Sequence, residues 1–181
     1  YDYVLDRMYG DRTWKDDDVW QHRADELLIY IPDGTYLVSD TLTYSGPVRG
    51  RRKRGLGGEG WYGEPLYGIR LIGQSREQTT IRLKDNCPGY GTVKGKPSGK
   101  VVVGFTQAAF NNWPSGNAIR NVAIDTGAGN PGAIGLNFHG ANKCEIRNVT
   151  VRSRDRQGDT GILVRTGPTA GHFTDITVEG F

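Results

Sequence analysis

Near the C-terminal end of the chain, one pattern of apolar and polar positions returns at a fixed interval. Ile119-Arg120-Asn121-Val122-Ala123-Ile124 comes back as Ile146-Arg147-Asn148-Val149-Thr150-Val151, and again as Phe173-Thr174-Asp175-Ile176-Thr177-Val178. The spacing between units is 27 residues both times. The first, fourth and sixth positions are apolar and the second and fifth vary. Strict strand alternation therefore breaks between the first and fourth positions, and a bend at the third restores it. That third position holds Asn121, Asn148 and Asp175. Asn and Asp tolerate left-handed backbone and bond their own main chain at bends. Stacked about 4.8 Å apart, such side chains form a ladder along a common axis. A short β-rich unit repeating at this period predicts a solenoid.

A second strand follows within each unit. Gly135-Leu136-Asn137-Phe138 corresponds to Gly161-Ile162-Leu163-Val164 with an offset of 26, so the preceding loop absorbs one residue. Earlier coils are less regular. Leu28 to Ile31, Thr35 to Val38 and Thr41 to Tyr44 read as the strands of a first coil. Ile69 to Ile72, Thr79 to Leu83 and Val101 to Val103 read as those of a second. Gly/Pro-rich insertions over Asn86–Lys100 and Thr106–Asn117 interrupt the series. Asp16-Asp17-Asp18 can cap a short helix reaching about Leu27, which would cover the open end of the solenoid. The division expected is therefore an N-terminal segment or cap over 1–28 and β-helix coils over 29–181.

Composition narrows this reading. Only 36% of the 181 residues are hydrophobic and 27 are glycine, which favours many turns and short strands. The formal net charge of +3 is too balanced to argue for nucleic acid. No apolar run approaches the roughly 18 residues of a membrane helix. Cys87 and Cys144 stand in unrelated contexts, and neither they nor His22, His139 and His172 show metal-ligand spacing.

Tyr30-Ile31-Pro32-Asp33-Gly34-Thr35-Tyr36-Leu37-Val38 resembles the strand pair that opens the pectate lyase superfamily domain, also called rhamnogalacturonase A/B and epimerase-like. Ile69 to Gln74, Thr79 to Leu83, Asn121 to Gly135 and Ile146 to Val151 resemble the segments that follow it there. Bacterial proteins related to glycoside hydrolase family 28 look most similar. The resemblance runs from about Ile29 to Phe181; Tyr1 to Asp18 lacks the family's usual opening segment. It implies an all-β, right-handed parallel β-helix, secretion, and action on or binding to polysaccharide. Members include hydrolases, lyases, epimerases and tailspikes, so the fold does not fix the reaction.

Candidate chemistry follows from that context. Sugar hydrolysis uses two carboxylates flanking the bond. Asp125, Asp155 and Asp159 fall at strand ends or in loops, where turn capping is the simpler role. Elimination from a uronic acid needs cations on the carboxylate and a base for the adjacent proton. Arg120 and Arg147 hold one outward position in consecutive coils and fit an anionic sugar track; pairing with Asp125, Glu145 or Asp155 is the simpler alternative. Arg49-Gly50-Arg51-Arg52-Lys53-Arg54 reads as a solvated loop. Trp61 follows it and offers a ring on which a sugar can stack, as do Tyr62 and Tyr67. Arg120, Arg147, Asp125 and Trp61 are thus the candidate substrate-binding residues, with Asn121, Asn148 and Asp175 as the structural ladder. Catalytic residues are expected beyond Phe181, because no paired-carboxylate motif is visible. No metal or cofactor is expected, apart from calcium if the full protein is a lyase. The partner expected is an acidic polysaccharide; a glycan-binding or structural β-helix is the non-enzymatic alternative. The strand at Phe173–Val178 reads as an uncovered last coil, with self-association expected and the chain truncated inside a repeat.

Overall fold

Alternation of apolar and polar residues drives the strands, and stacking of equivalent apolar positions drives their assembly. The computed structural model describes residues 27–45, 51–54, 58–61, 69–106, 116–140, 143–166 and 171–181. The expected N-terminal cap and most of the second insertion lie outside the described residues. Coil 1 contains β1 (Leu27–Ile31), β2 (Gly34–Val38) and β3 (Leu42–Ser45). Between coils 1 and 2 lie β4 (Arg51–Arg54) and β5 (Gly58–Trp61). Coil 2 contains β6 (Ile69–Gly73), β7 (Thr79–Leu83), the short β8 (Thr92–Val93) and β9 (Lys96–Pro97), and β10 (Lys100–Thr106). Coil 3 has β11 (Ala118–Asp125) and β12 (Ala133–Gly140), coil 4 has β13 (Glu145–Arg152) and β14 (Thr160–Thr166), and β15 (His172–Glu179) opens coil 5.

Two parallel sheets result. The first has the order β1-β6-β11-β13-β15, with β2 and β7 carrying its second half; the other has the order β14-β12-β10-β3. Sequence-equivalent strands stack on one another, which makes the chain a right-handed parallel β-helix. Ile119, Val122 and Ile124 pair with Ile146, Val149 and Val151, as the 27-residue repeat requires. β12 pairs with β14 through Leu136 and Ile162, confirming the 26-residue offset in the second sheet.

The core consists of files of these inward residues. Ile29, Leu71, Ile119, Ile146 and Phe173 stand in register in five successive coils. Ile119, Val122, Ile124, Ile146, Val149 and Val151 are fully buried. Phe138 joins the two sheets: its ring lies 5.1 Å from Phe105 and 6.1 Å edge-on from Phe173.

The bend expected at the third repeat position is present. Asn121, Asn148 and Asp175 have φ of 53°, 53° and 54°. In coil 2 the equivalent break lies between β6 and β7, and a Cβ on Gly73 would strike the Asn121 carbonyl. The first insertion is more ordered than a plain loop. Thr92–Val93 and Lys96–Pro97 form a hairpin whose central residues, Lys94 and Gly95, both have positive φ, as a tight mirror-image turn demands. The basic run also departs from expectation. Arg51–Arg54 is a strand paired antiparallel with Gly58–Trp61, so backbone hydrogen bonds organise a segment whose side-chain charge suggested an irregular loop.

Candidate functional site

On the first sheet, residues between the inward files face out. Their ladder places Arg120 opposite Arg147 and Arg147 opposite Thr174. Two positions earlier, on the same outward face, Ala118, Glu145 and His172 form a parallel file. Apart from the buried Ala118, these side chains line an open groove of about 660 Å³ together with Lys143, Cys144 and Asp175. Asn117 builds the corner behind it: buried, it accepts the Ile69 N–H at 3.2 Å and donates its amide to the His139 carbonyl at 2.8 Å.

The groove is rich in cations with unequal freedom. The Arg120 guanidinium donates to the Glu145 carboxylate, so these two largely neutralise each other. Arg147 and Lys143 are exposed and have no ion-pair or hydrogen-bond partner among the described residues. Two arginines in adjacent coils are therefore tolerated because the first is paired and the second is solvated. The Cys144 thiol is raised above its ordinary pKa, chiefly by burial, which makes it a poor nucleophile. Glu145 is engaged by Arg120, leaving Asp175 as the one unpaired carboxylate among the lining residues.

The other sequence candidates lie elsewhere. Asp125 is fully buried at the end of β11. One of its oxygens accepts the Gly127 N–H at 2.9 Å, and the other receives Arg152 Nε at 3.3 Å and Arg154 Nε at 2.5 Å. This enclosure gives Asp125 the turn-capping role and leaves it no face for a ligand. Asp155 caps as well, accepting the Gly129 N–H at 2.6 Å, the Gln157 N–H at 3.1 Å and the Ser153 hydroxyl at 3.2 Å. Trp61 ends β5 opposite Arg51 in the hairpin register. The structure thus brings Arg120 and Arg147 together and keeps Asp125 apart from them. Lys143 and His172 were not singled out from sequence; the signal for His172 was its place one residue ahead of a repeat unit, matching Glu145.

Among the described residues, no group of three or more His, Cys, Asp or Glu side chains is placed to hold a metal ion. No helix of the described residues is long and apolar enough to cross a membrane.

Residues 20–180 match the family described as rhamnogalacturonase A/epimerase, pectate lyase-like. No curated protein matches the sequence. Among solved structures, the chain is similar to a pectin methylesterase variant crystallised in complex with hexasaccharide IV. The TM-score is 0.50 at 14% identity, over 95% of this chain and 46% of that one. At that identity the likeness concerns fold, and the chain spans about half the length of the protein it resembles.

Proposed function

Because the chain belongs to the rhamnogalacturonase A/epimerase, pectate lyase-like family, we propose that it is part of a secreted carbohydrate-active protein and binds an acidic, pectin-like polysaccharide along the outer face of its first sheet. The observation that carries this reading is the Arg120–Arg147 file opening into a groove, with Arg147 and Lys143 exposed and unpaired among the described residues. A polyuronate repeats a carboxylate along an extended chain, and a solenoid repeats a cation along an extended face. Guanidinium–carboxylate contacts are charge-assisted and planar, which suits arginine better than lysine. The structural neighbour, a pectin methylesterase crystallised with a hexasaccharide, supports a saccharide ligand. An extracellular location belongs to the same proposal, since such polymers lie outside the cell.

Binding is favoured over chemistry by this part of the protein. Hydrolysis requires two carboxylates in distinct protonation states, and Glu145 is already committed to Arg120. Affinity electrophoresis through polygalacturonate and through neutral dextran tests the proposal. The wild-type chain should be retarded by the former and not by the latter, without releasing reducing ends or unsaturated products. Arg147→Ala should weaken retardation about fivefold, the effect expected for one charge-assisted contact at an exposed site. Equal retardation by both polymers, or none by either, contradicts the reading.

A further inference from the structure

The file that holds Arg120 and Arg147 does not stop at the groove. Followed back through the register, Arg120 stands opposite Ile72, and Ile72 stands opposite Tyr30. Tyr30, Ile72, Arg120, Arg147 and Thr174 therefore occupy one outward line crossing five coils. Tyr30 is 56% exposed, although its neighbours Ile29 and Ile31 pack against the core. Leu28, two residues earlier on the same outward face, is 59% exposed. One strand thus displays two large apolar side chains to solvent in line with the cationic groove. Burying them there would require something lying along the outside of the sheet.

We propose that Tyr30 is a stacking subsite for the same acidic polysaccharide, about three strand spacings, roughly 14 Å, upstream of Arg147. The inference rests on the groove reading and extends it. A sugar ring presents an apolar C–H face as well as hydroxyls and, in a uronate, a carboxylate. The aromatic face of Tyr30 covers the former and excludes water, with Leu28 and Ile72 widening the platform. Arg147 and Lys143 take the carboxylates further along the chain. The two ends of the track thus use different physics. Guanidinium contacts weaken as salt screens them, whereas stacking persists. The ligand favoured is long enough to reach both ends. A short oligomer engages the cations alone.

Oligogalacturonates of three and of twelve units, titrated calorimetrically at low and at high salt, test this. Wild type should bind the longer oligomer more tightly and retain part of that advantage at high salt. Tyr30→Ala should lower affinity for the longer oligomer about threefold to tenfold, at both salt concentrations, and leave the trimer unaffected. Tyr30→Phe keeps the ring and should restore binding, which a loss of folding in Tyr30→Ala would not explain; matched melting temperatures provide the second control. Arg147→Ala should weaken both oligomers and flatten the salt dependence. If Arg147→Ala behaves so while Tyr30→Ala binds the longer oligomer like wild type, the stacking subsite is wrong and the groove reading stands. If wild type binds neither oligomer, both fall.

Discussion

Asn121, Asn148 and Asp175 adopt a left-handed backbone that costs most side chains about 1–2 kcal/mol, and they do so at the one place where each strand must bend. The Asn148 amide donates to Asn121 Oδ1 at 2.9 Å, so the same side chains also tie consecutive coils together. Asp175 keeps the bend, yet an ionised carboxylate has only acceptors and cannot hand a proton to Asn148. Asp175→Asn should therefore extend the ladder by one rung. The expected gain is about 1 kcal/mol, or roughly 2–4 °C in melting temperature by circular dichroism. An unchanged or lowered melting temperature would show that the rung does not form. Asn148→Ala loses both the bond and the backbone tolerance, for about 2–3 kcal/mol, whereas Asn148→Gly should lose about half as much. This residue-level feature was legible in sequence because Asn and Asp recur where alternation fails. For Asp125 the turn cap was legible and the burial was not: the two arginines that enclose it, Arg152 and Arg154, come from the next coil, and only the fold brings them to it.

Turns between the sheets bind one coil to another through side-chain carboxylates. Burial pushes the Asp155 carboxyl up, but the N–H groups of Gly129 and Gln157 and the Ser153 hydroxyl outweigh it and hold the group below its ordinary value. The sign follows directly. A carboxyl whose pKa is lower in the folded chain contributes stability above the unfolded carboxylate range, and that contribution disappears as pH falls through the folded value. Asp155→Asn should thus be most destabilising, relative to wild type, near neutral pH, and the gap in urea midpoint should close on acidification. A gap that stays constant with pH would mean that the charge of Asp155 is irrelevant to the turn. Strands proved easier to read than turns. β11, β13 and β15 share one length and one pattern, while in coils 1 and 2 the same sheet is split into β1 with β2 and β6 with β7. Splitting hides the period, because the residues between the halves differ in number. The hairpin at β8 and β9 was missed for a related reason: Lys94 supplies a positive φ that sequence rules assign to Gly, Asn or Asp.

At the scale of the whole molecule, the solenoid turns a short repeat into a long face, and function is proposed to follow from which residues recur on it. Arg120 and Arg147 could be found by aligning repeat units. Lys143 and Tyr30 could not, since the first sits in a corner outside the unit and the second belongs to a split coil whose register only the pairing of β1 with β6 reveals. The result is an apolar start at Leu28 and Tyr30, a paired centre at Arg120 and Glu145, and exposed cations at Arg147 and Lys143. Such a gradient predicts one orientation and one path for a bound polyuronate. The most direct test is a crystal structure of the chain with a long oligogalacturonate. The oligomer should lie along the outer face of the first sheet, with a carboxylate within salt-bridge distance of Arg147 and a sugar ring over Tyr30. An oligomer seated on the second sheet, or crossing the coils away from Arg147, would contradict it.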